Sequence, residues 1–146
     1  MPIEGEYAPT PRAWVRDQVE TYERSAGAAG HTLRDTGLPV IVVTYRGRRS
    51  GKVRKIALMR VEADGRYALV ASYGGASKHP EWYHSLRDHP AIVLQDGPVP
   101  RDFTVRLVEG TERDEWWDRA VAAYPEYAEY QDRTQRRIPV FVAEQV

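Results

Sequence analysis

The stretch "LPVIVVTYRGRRSGKVRKIALMRVEADGRYALVASY", residues 38–73, decides the fold that this sequence predicts. It contains three apolar runs, each short enough for a β-strand, at residues 38–45, 56–62 and 66–73. Asp64 and Gly65 separate the second run from the third, and an Asp-Gly pair between apolar runs is a strong hairpin signal. We therefore expect three successive strands in an antiparallel meander.

The patterns on either side of this stretch add three strands and four helices. Strands are predicted at 91–95, 102–109 and 138–144, and in the second of these Phe103, Val105 and Leu107 share one face. Helices are predicted from Thr10 as N-cap and Pro11 as first residue to the glycines at 27–30, over 80–88, from Thr111, and over 126–133 after Pro125. The expected apolar stripes are Val15, Val19, Tyr22 and Ala26 in the first helix, and Trp117, Ala120, Val121 and Tyr124 in the third. Six strands and about four short helices predict an α+β fold with a mainly antiparallel sheet or barrel.

Composition and charge exclude several classes of protein. The 146 residues suit a single domain, 1–146, with residues 1–11 as a loose lead-in. No cysteine is present, which excludes disulfides and thiolate chemistry and is consistent with a cytoplasmic protein. The 21 basic residues balance the 21 acidic ones, which argues against a nucleic-acid partner. We also expect no transmembrane segment, no signal peptide and, from the spacing of the four histidines, no metal site.

Six of those positive charges lie in one short stretch, residues 45–55, which we call the basic segment. They are Arg46, Arg48, Arg49, Lys52, Arg54 and Lys55, with no acid among them. Gly47 and Gly51 bracket the turn and are expected to leave backbone N–H groups accessible, and strand alternation would project Lys52 and Arg54 from one face. The segment therefore predicts a site for a small polyanion such as a phosphate ester. The alternative is a solvated hairpin tip.

Two further segments hold candidate site residues. Residues 71–86 run from a strand through Gly74 and Gly75 to the Pro80 helix, where backbone donors and Lys78 could contact an anion or a carbonyl. The alternative there is a plain connection in which Trp82 and Tyr83 are core aromatics. Residues 123–133 space three tyrosines three apart, Tyr124, Tyr127 and Tyr130, which either line a pocket for a flat ligand or belong to the core. Glu126 and Glu129 are predicted to be exposed helix charges.

Taken together, "TYRGRRSGKVRK" (44–55), "ALVASYGGASKHPEWYHSLRDHP" (68–90) and "AYPEYAEYQDRTQRRIPVFVAE" (123–144) resemble the deazaflavin-dependent nitroreductase family, the actinobacterial reductases that use coenzyme F420. The resemblance covers most of the chain from Leu38 onward, and the N-terminal helix matches in kind only. It implies a split β-barrel and a flat deazaflavin cofactor that carries a phosphodiester and a tail of glutamates.

The resemblance also implies roles for the residues of all three segments. Arg48, Arg49 and Arg54 would hold the phosphate and acidic tail, with Lys52 or Lys55 assisting. Ser72, Tyr73, Lys78, Trp82 and Tyr83 would border the ring, and Tyr124, Tyr127 and Tyr130 would cover the substrate side. Met59 stands where some relatives have a pocket tyrosine, and methionine donates no strong hydrogen bond.

The activity implied is hydride transfer from reduced F420 to a quinone, an α,β-unsaturated carbonyl or a nitroaromatic. A hydroxyl of Ser72, Tyr127 or Tyr130 would hydrogen-bond the acceptor oxygen as charge develops there. Two alternatives stay open: a flavin mononucleotide (FMN) oxidoreductase on the same barrel, and a non-catalytic F420 carrier. The expected partner is a small-molecule acceptor, the expected assembly a monomer or homodimer, and peripheral membrane contact is left open.

Overall fold

A computed structural model describes the fold over residue 3, residues 5–33 and residues 36–146. Within these residues the α-helices are α1 (Ala13–Arg24), α2 (Glu81–Asp88), α3 (Gly110–Ala123) and α4 (Glu126–Asp132). The strands are β1 (Val40–Arg46), β2 (Val53–Met59), β3 (Glu62–Ala63), β4 (Arg66–Val70), β5 (Ala91–Gln95), β6 (Pro100–Leu107) and β7 (Val140–Gln145). All pair antiparallel in one sheet of order β2-β1-β5-β6-β7-β4-β3, which confirms the predicted α+β class.

The predicted hairpin at Asp64 and Gly65 is confirmed, but the predicted meander is wrong. Asp64 and Gly65 both have positive φ, 54° and 77°, as a tight hairpin turn between β3 and β4 requires. However, β4 pairs with β7 and not with β2. The run at 56–62 is divided between β2 and β3: the Arg60 N–H still bonds to the Pro39 carbonyl, in register with β1, whereas the Val61 carbonyl accepts a hydrogen bond from the Ala68 N–H of β4. This break lets the chain leave the β2 edge, and it gives seven strands in the described residues where six were expected.

Asp96, at the turn after β5, ties distant parts of the sheet together. Its Oδ2 accepts hydrogen bonds of 2.8 Å from Arg60 Nε and 2.6 Å from the Tyr67 hydroxyl. Arg60 follows β2, at one end of the strand order, and Tyr67 lies in β4, near the other. One carboxylate therefore contacts both sides, as expected for a sheet that curls toward a barrel.

The sheet is buried on both faces by two apolar clusters. Val40 and Val42 of β1 face a cluster with α1, α3 and α4, while Ile41 and Val43 face a cluster with α2. This two-sided burial explains why β1 is a continuous apolar run instead of an alternating one. In α3 the predicted stripe is partly wrong, because Trp116 is 1% exposed whereas Trp117 is only partly buried.

Helix α1 is shorter at both ends than predicted. Val19 and Tyr22 are buried as expected, but the N-cap residue is Arg12, and Thr10 Oγ1 only accepts a hydrogen bond of 3.3 Å from the Arg12 N–H. Ala26 lies outside the helix with φ of 54°. Gly27, with φ of 83°, follows it and approaches Gly97 so closely that a Cβ would lie 2.9 Å from the Gly97 backbone, so only glycine fits at this position. The glycines at 27–30 thus follow the helix end at Arg24.

The remaining predictions agree with the structure to within a few residues. The helices over 80–88, from Thr111 and over 126–133 correspond to α2, α3 and α4, and the strands predicted at 91–95, 102–109 and 138–144 correspond to β5, β6 and β7. Phe103 and Val105 are buried on one face of β6 as expected. Over the described part of the chain, no helix is both long and apolar enough to cross a bilayer.

Candidate functional site

The basic segment forms a closed turn between β1 and β2. Gly47 donates its N–H to the Lys52 carbonyl at 2.8 Å, and Gly51 donates to the Gly47 carbonyl at 3.0 Å. Gly51 has φ of 69°, the left-handed conformation that a side chain would strain. The expectation that these two glycines present N–H groups to an anion is therefore wrong, since both groups are used within the turn.

Acidic residues from other elements partly neutralise the basic segment. Lys52 forms an ion pair with Glu6 at 3.0 Å, and Lys55 Nζ contacts both carboxylate oxygens of Glu23 in α1, at 2.9 and 2.7 Å. Strand alternation puts Lys55 and Arg54 on opposite faces of β2. Lys55 therefore lies with α1, away from the arginines.

Arg48 and Arg49 lie beside the first turn of α2. The Arg48 N–H donates a 2.9 Å hydrogen bond to Ser85 Oγ, and Arg48 Nη2 lies 3.3 Å from Glu81 Oε1. Arg49, whose side chain is 80% exposed, has its Nε 3.8 Å from the same carboxylate oxygen. One exposed glutamate is thus the counterion of two arginines.

The arginines of the basic segment keep unused donors. The Arg48 Nε is buried and has no hydrogen-bond partner. The guanidinium of Arg54 forms no hydrogen bond or ion pair with any residue in the described ranges. A buried donor without a partner costs free energy that an anionic oxygen would recover. Arg48, Arg49 and Arg54 therefore fit a phosphate or carboxylate ligand.

The Gly-Gly loop (residues 72–79) follows β4 and packs against α4. Tyr73 is 46% exposed and has φ of 48°, a conformation that non-glycine residues rarely adopt and that often marks a functional site. Gly75 is in close contact with α4, because a Cβ there would lie 2.7 Å from the Tyr130 carbonyl oxygen. Ser72 is 9% exposed, and Lys78 is exposed. The loop thus lies against α4 at Tyr130 through Gly75, which is three residues after Ser72.

Arg136 holds this loop in place, and the sequence interpretation missed it. Its guanidinium donates to the carbonyls of Ser72 at 2.7 Å, Ala76 at 2.8 Å and Ala71 at 3.1 Å. Arg136 Nη1 also lies 3.0 Å from Nδ1 of His79. The only signal in the sequence is the pair of arginines before β7, which reads as ordinary surface charge until the loop is placed beside it.

Tyr124, Tyr127 and Tyr130, the tyrosine cluster, pack edge to face. The ring centroids of Tyr124 and Tyr127 are 5.0 Å apart, and each is 6.1–6.2 Å from that of Tyr130. Tyr124 is 8% exposed and Tyr127 4%, and both belong to the apolar cluster that contains Met59. The Tyr127 hydroxyl makes no hydrogen bond with a described residue, and burial raises its pKa, as does the neighbouring Tyr130.

Glu126 and Glu129 are exposed residues of α4, as predicted, and the carboxylate of Glu126 also accepts hydrogen bonds from two tyrosines. Its Oε2 accepts a short hydrogen bond from the Tyr124 hydroxyl and a longer one, 3.4 Å, from the Tyr130 hydroxyl. Glu129 makes no such contact in the described structure.

Trp82 and Tyr83 belong to α2, and their side chains pack on the other face of the sheet from the tyrosine cluster. Each is 9% exposed, and both pack against Phe141 of β7 with centroid distances of 6.1 and 5.7 Å. Tyr83 also stacks on His79 at 4.1 Å. Their present environment is that of core aromatics beside the Arg48 end of the site.

Strand β2 connects the two groups of candidate residues. The basic segment leads into its first residue, Val53, and its last residue, Met59, belongs to the same apolar cluster as Tyr124 and Tyr127. At ~3.3 Å per residue, the strand spans roughly 20 Å between these ends. The N-terminal segment covers the start of this edge, since Val53 donates its N–H to the Glu6 carbonyl and accepts a hydrogen bond from the Ala8 N–H. Strand alternation puts Arg54 and Met59 on opposite faces of β2, so a ligand that contacts both ends must pass around the edge between them. The described residues contain no group of three metal-binding side chains.

Comparison with known proteins gives one family. The model of the F420H(2)-dependent quinone reductase family matches residues 14–145. A protein of Mycobacterium tuberculosis named an F420H(2)-dependent quinone reductase is 29% identical over 124 residues, which make up 83% of this chain and 83% of that protein.

Solved structures agree with this match. A chain described as a domain-swapped dimer superposes with a TM-score of 0.72 at 46% identity, covering 92% of this chain and 100% of the other. The structure of an F420-H2 dependent reductase, FDR-A, superposes with a TM-score of 0.70 at 50% identity, covering 78% of this chain and 98% of the other.

These matches confirm the split-barrel fold class, the oxidoreductase class and reduced F420 as the cofactor of the family, and they give no support to FMN. The predicted roles of individual residues stay predictions. The chain belongs to the F420H(2)-dependent quinone reductase family.

Proposed function

We propose that this protein reduces a quinone with reduced F420, with the acidic tail of the cofactor at the basic segment and the quinone at the tyrosine cluster. The observation that carries the proposal is the layout of β2. Unused arginine donors lie near its first residue, and its last residue, Met59, belongs to the apolar cluster that contains Tyr124 and Tyr127, so the two groups lie toward opposite ends of a strand roughly 20 Å long. That separation suits a cofactor with a ring at one end and negative charge at the other.

Arg48, Arg49 and Arg54 would hold the phosphate and glutamate groups. Arg48 is anchored by its backbone bond to Ser85, so its side chain is already positioned beside α2. Binding would replace Glu81, since both arginines near it would gain ligand oxygens as partners. Lys55 has no part in this proposal because Glu23 holds its amine on the α1 side.

Of the residues expected to border the ring, Ser72, Tyr73 and Lys78 stay candidates on the loop that packs against α4. Trp82 and Tyr83 lie on the other face of the sheet from Met59 and have no part in this proposal. Arg136 fixes the Ser72 carbonyl, and the Tyr130 backbone limits the position of Gly75. A loop restrained at both points would present Ser72 and Tyr73 in one orientation and would reduce the entropy lost on binding.

The bound deazaflavin would supply the hydride, and the protein would position the acceptor and manage one proton. As the acceptor oxygen gains negative charge, the Tyr127 hydroxyl would donate a hydrogen bond and then its proton, which gives the hydroquinone. Burial raises the pKa of Tyr127, so the hydroxyl is protonated at neutral pH. Ser72 is a second donor on the loop side, and Tyr130 is less suited because its hydroxyl has protein partners.

The family name favours a quinone over a nitroaromatic or an unsaturated carbonyl as the acceptor. An apolar cluster that contains Met59 and two buried tyrosines is consistent with a flat, uncharged molecule. A similar structure is described as a domain-swapped dimer, which supports a homodimer as the assembly to test first.

The function is tested by titrating the protein with F420 and with FMN while following fluorescence, and by measuring menadione reduction with reduced F420. Arg48→Ala combined with Arg54→Ala should weaken F420 binding by about two to three orders of magnitude, and the loss should shrink at high salt. Arg101→Ala, an exposed arginine of β6, is the matched control. Tighter binding of FMN, or unchanged F420 binding in the double variant, would refute the proposal. F420 binding without menadione reduction would favour a carrier.

A further inference from the structure

Glu126 accepts hydrogen bonds from the hydroxyl groups of two of the three tyrosines in the tyrosine cluster. Its Oε2 is the hydrogen-bond acceptor for Tyr124 and for Tyr130, and these two hydroxyl oxygens are 3.1 Å apart. The third, Tyr127, lies one residue after Glu126 but makes no hydrogen bond with a described residue.

This arrangement assigns the three hydroxyl protons. An ionised carboxylate can only accept, so the Tyr124 hydroxyl donates to Glu126, and the Tyr130 hydroxyl donates either to Glu126 or to the Tyr124 oxygen. Burial raises the pKa of Tyr124, and its bonds to Glu126 and Tyr130 raise it further, so its proton is retained. Tyr127 alone keeps a hydroxyl proton that no protein group already uses.

The charge of Glu126 is also not cancelled locally. It forms no salt bridge within the described ranges. Arg133 interacts with the face of the Tyr130 ring instead, with its guanidinium carbon 5.3 Å from the ring centroid. A negative charge therefore stands at the edge of the tyrosine cluster, where an acceptor would enter.

We propose that Glu126 sets acceptor specificity: it withholds the protons of Tyr124 and Tyr130, leaves Tyr127 as the proton donor, and disfavours acceptors that carry a negative substituent. The proposal rests on the proposed function, since it needs the acceptor at the tyrosine cluster. Glu126 acts on the acceptor indirectly, through the hydrogen bonds it makes to the tyrosines and through the electrostatic field of its negative charge. It is therefore a positioning and specificity-determining residue. The acceptor class that follows is a neutral quinone.

The test compares naphthoquinone with naphthoquinone sulfonate, using reduced F420 as donor. The ratio of their kcat/KM values in one variant, divided by the ratio in the wild type, removes the intrinsic reactivity of each quinone. In Glu126→Gln the preference for the neutral quinone should fall about three- to tenfold. Glu126→Asp should retain most of it, and Glu129→Gln, the matched control one turn away on α4, should retain all of it.

A second measurement does not need turnover. Quenching of intrinsic tyrosine and tryptophan fluorescence by each quinone gives its Kd for the cofactor-free protein, and the neutral-to-anionic ratio should shift in the same direction in Glu126→Gln. High salt should reduce the preference of the wild type for the neutral quinone, because it screens the charge of Glu126. An unchanged ratio in both measurements would overturn the proposal.

The role of Glu126 in assigning protons is tested by a double-mutant cycle. Once Glu126→Gln frees Tyr130 to donate, Tyr127→Phe should reduce kcat less than it does in the wild-type background. An equal loss in both backgrounds would contradict the assignment. Absence of wild-type turnover with either quinone would refute the proposed function as well, whereas normal turnover with an unchanged ratio would refute only the role of Glu126.

Discussion

Arg136 Nη2 donates a hydrogen bond of 2.7 Å to the carbonyl oxygen of Ser72, and this bond joins the segment before β7 to the loop after β4. The same guanidinium binds the Ala71 and Ala76 carbonyls, so one side chain fixes both ends of the turn around Tyr73. No carboxylate in the described residues pairs with Arg136, and burial lowers its pKa. The orientation of the Gly-Gly loop therefore depends on carbonyl groups held by one cation.

Replacing Arg136 with Ala should destabilise the protein by about 2–4 kcal/mol, because several charge-assisted hydrogen bonds are lost and the Ala71 carbonyl is left buried. Urea denaturation measures this change. Arg136→Lys should recover only part of it, since an ammonium cannot reproduce the planar fork that reaches three carbonyls. Arg137→Ala, next in sequence and exposed, should change the free energy of unfolding by less than about 0.5 kcal/mol. A similar small effect for Arg136→Ala would show that the loop is held by other contacts.

Replacing Glu81 with Gln should strengthen F420 binding by about three- to tenfold at low salt. Glu81 lies 3.3 Å from Arg48 and 3.8 Å from Arg49, so its charge competes with an anionic ligand for both guanidinium groups. The measurement is a fluorescence titration at two ionic strengths, and the gain should diminish at the higher one. Asp88→Asn, at the other end of α2, serves as control. Weaker binding in Glu81→Gln would mean that the carboxylate organises the arginines for the ligand.

Replacing Tyr127 with Phe should lower kcat for menadione reduction about ten- to a hundredfold while the Kd of F420 changes little. The substitution removes only a hydroxyl with no protein partner, so the packing against Tyr124 and Trp117 should be retained. Stopped-flow mixing with reduced F420 separates the chemical step from binding. A large change in cofactor affinity with normal kcat would place Tyr127 at the cofactor instead.

Tyr45 should make the stability depend on pH in the alkaline range. Burial raises the pKa of its hydroxyl to about 12 from an ordinary value of 10.0, against the opposing field of Arg54. Because the pKa is higher in the folded than in the unfolded protein, the contribution of Tyr45 to the free energy of unfolding is complete below pH ~10. This contribution, about 2–3 kcal/mol, is lost as pH rises toward ~12.

Tyr45→Phe should therefore flatten the fall in the free energy of unfolding between pH ~10 and ~12, as measured by denaturation at a series of pH values. Tyr73→Phe, at an exposed tyrosine, is the control and should leave the slope unchanged. If the two variants show the same slope as the wild type, the Tyr45 hydroxyl is not buried in solution.

Local signals in the sequence predicted most of the secondary structure. The Asp64-Gly65 turn, the Pro80 helix and the Pro125 interruption were correct because each depends on the backbone preferences of one or two residues. The meander was wrong for a different reason. Whether β4 pairs with β2 or with β7 depends on which buried faces fit together, and the apolar pattern is the same in both cases.

In the candidate site, too, local features were predicted from the sequence and long-range contacts were not. Its three segments were recognised from the residues they contain, but the acids that neutralise the basic segment, Glu6, Glu23 and Glu81, come from distant positions. The contacts of Arg136 and Glu126 were missed because such partners meet only after folding.

The sequence by itself determined the fold class, the family and the concentration of positive charge at one turn, since these follow from residue type, local order and spacing. Three features were decided by the tertiary structure alone: which arginines keep unused donors, which lysine of the basic segment pairs with α1 instead of lying with the arginines, and which tyrosine hydroxyl has no partner. Hydrogen bonds and ion pairs depend on distances of a few ångströms between residues far apart in the chain, and only packing sets those distances.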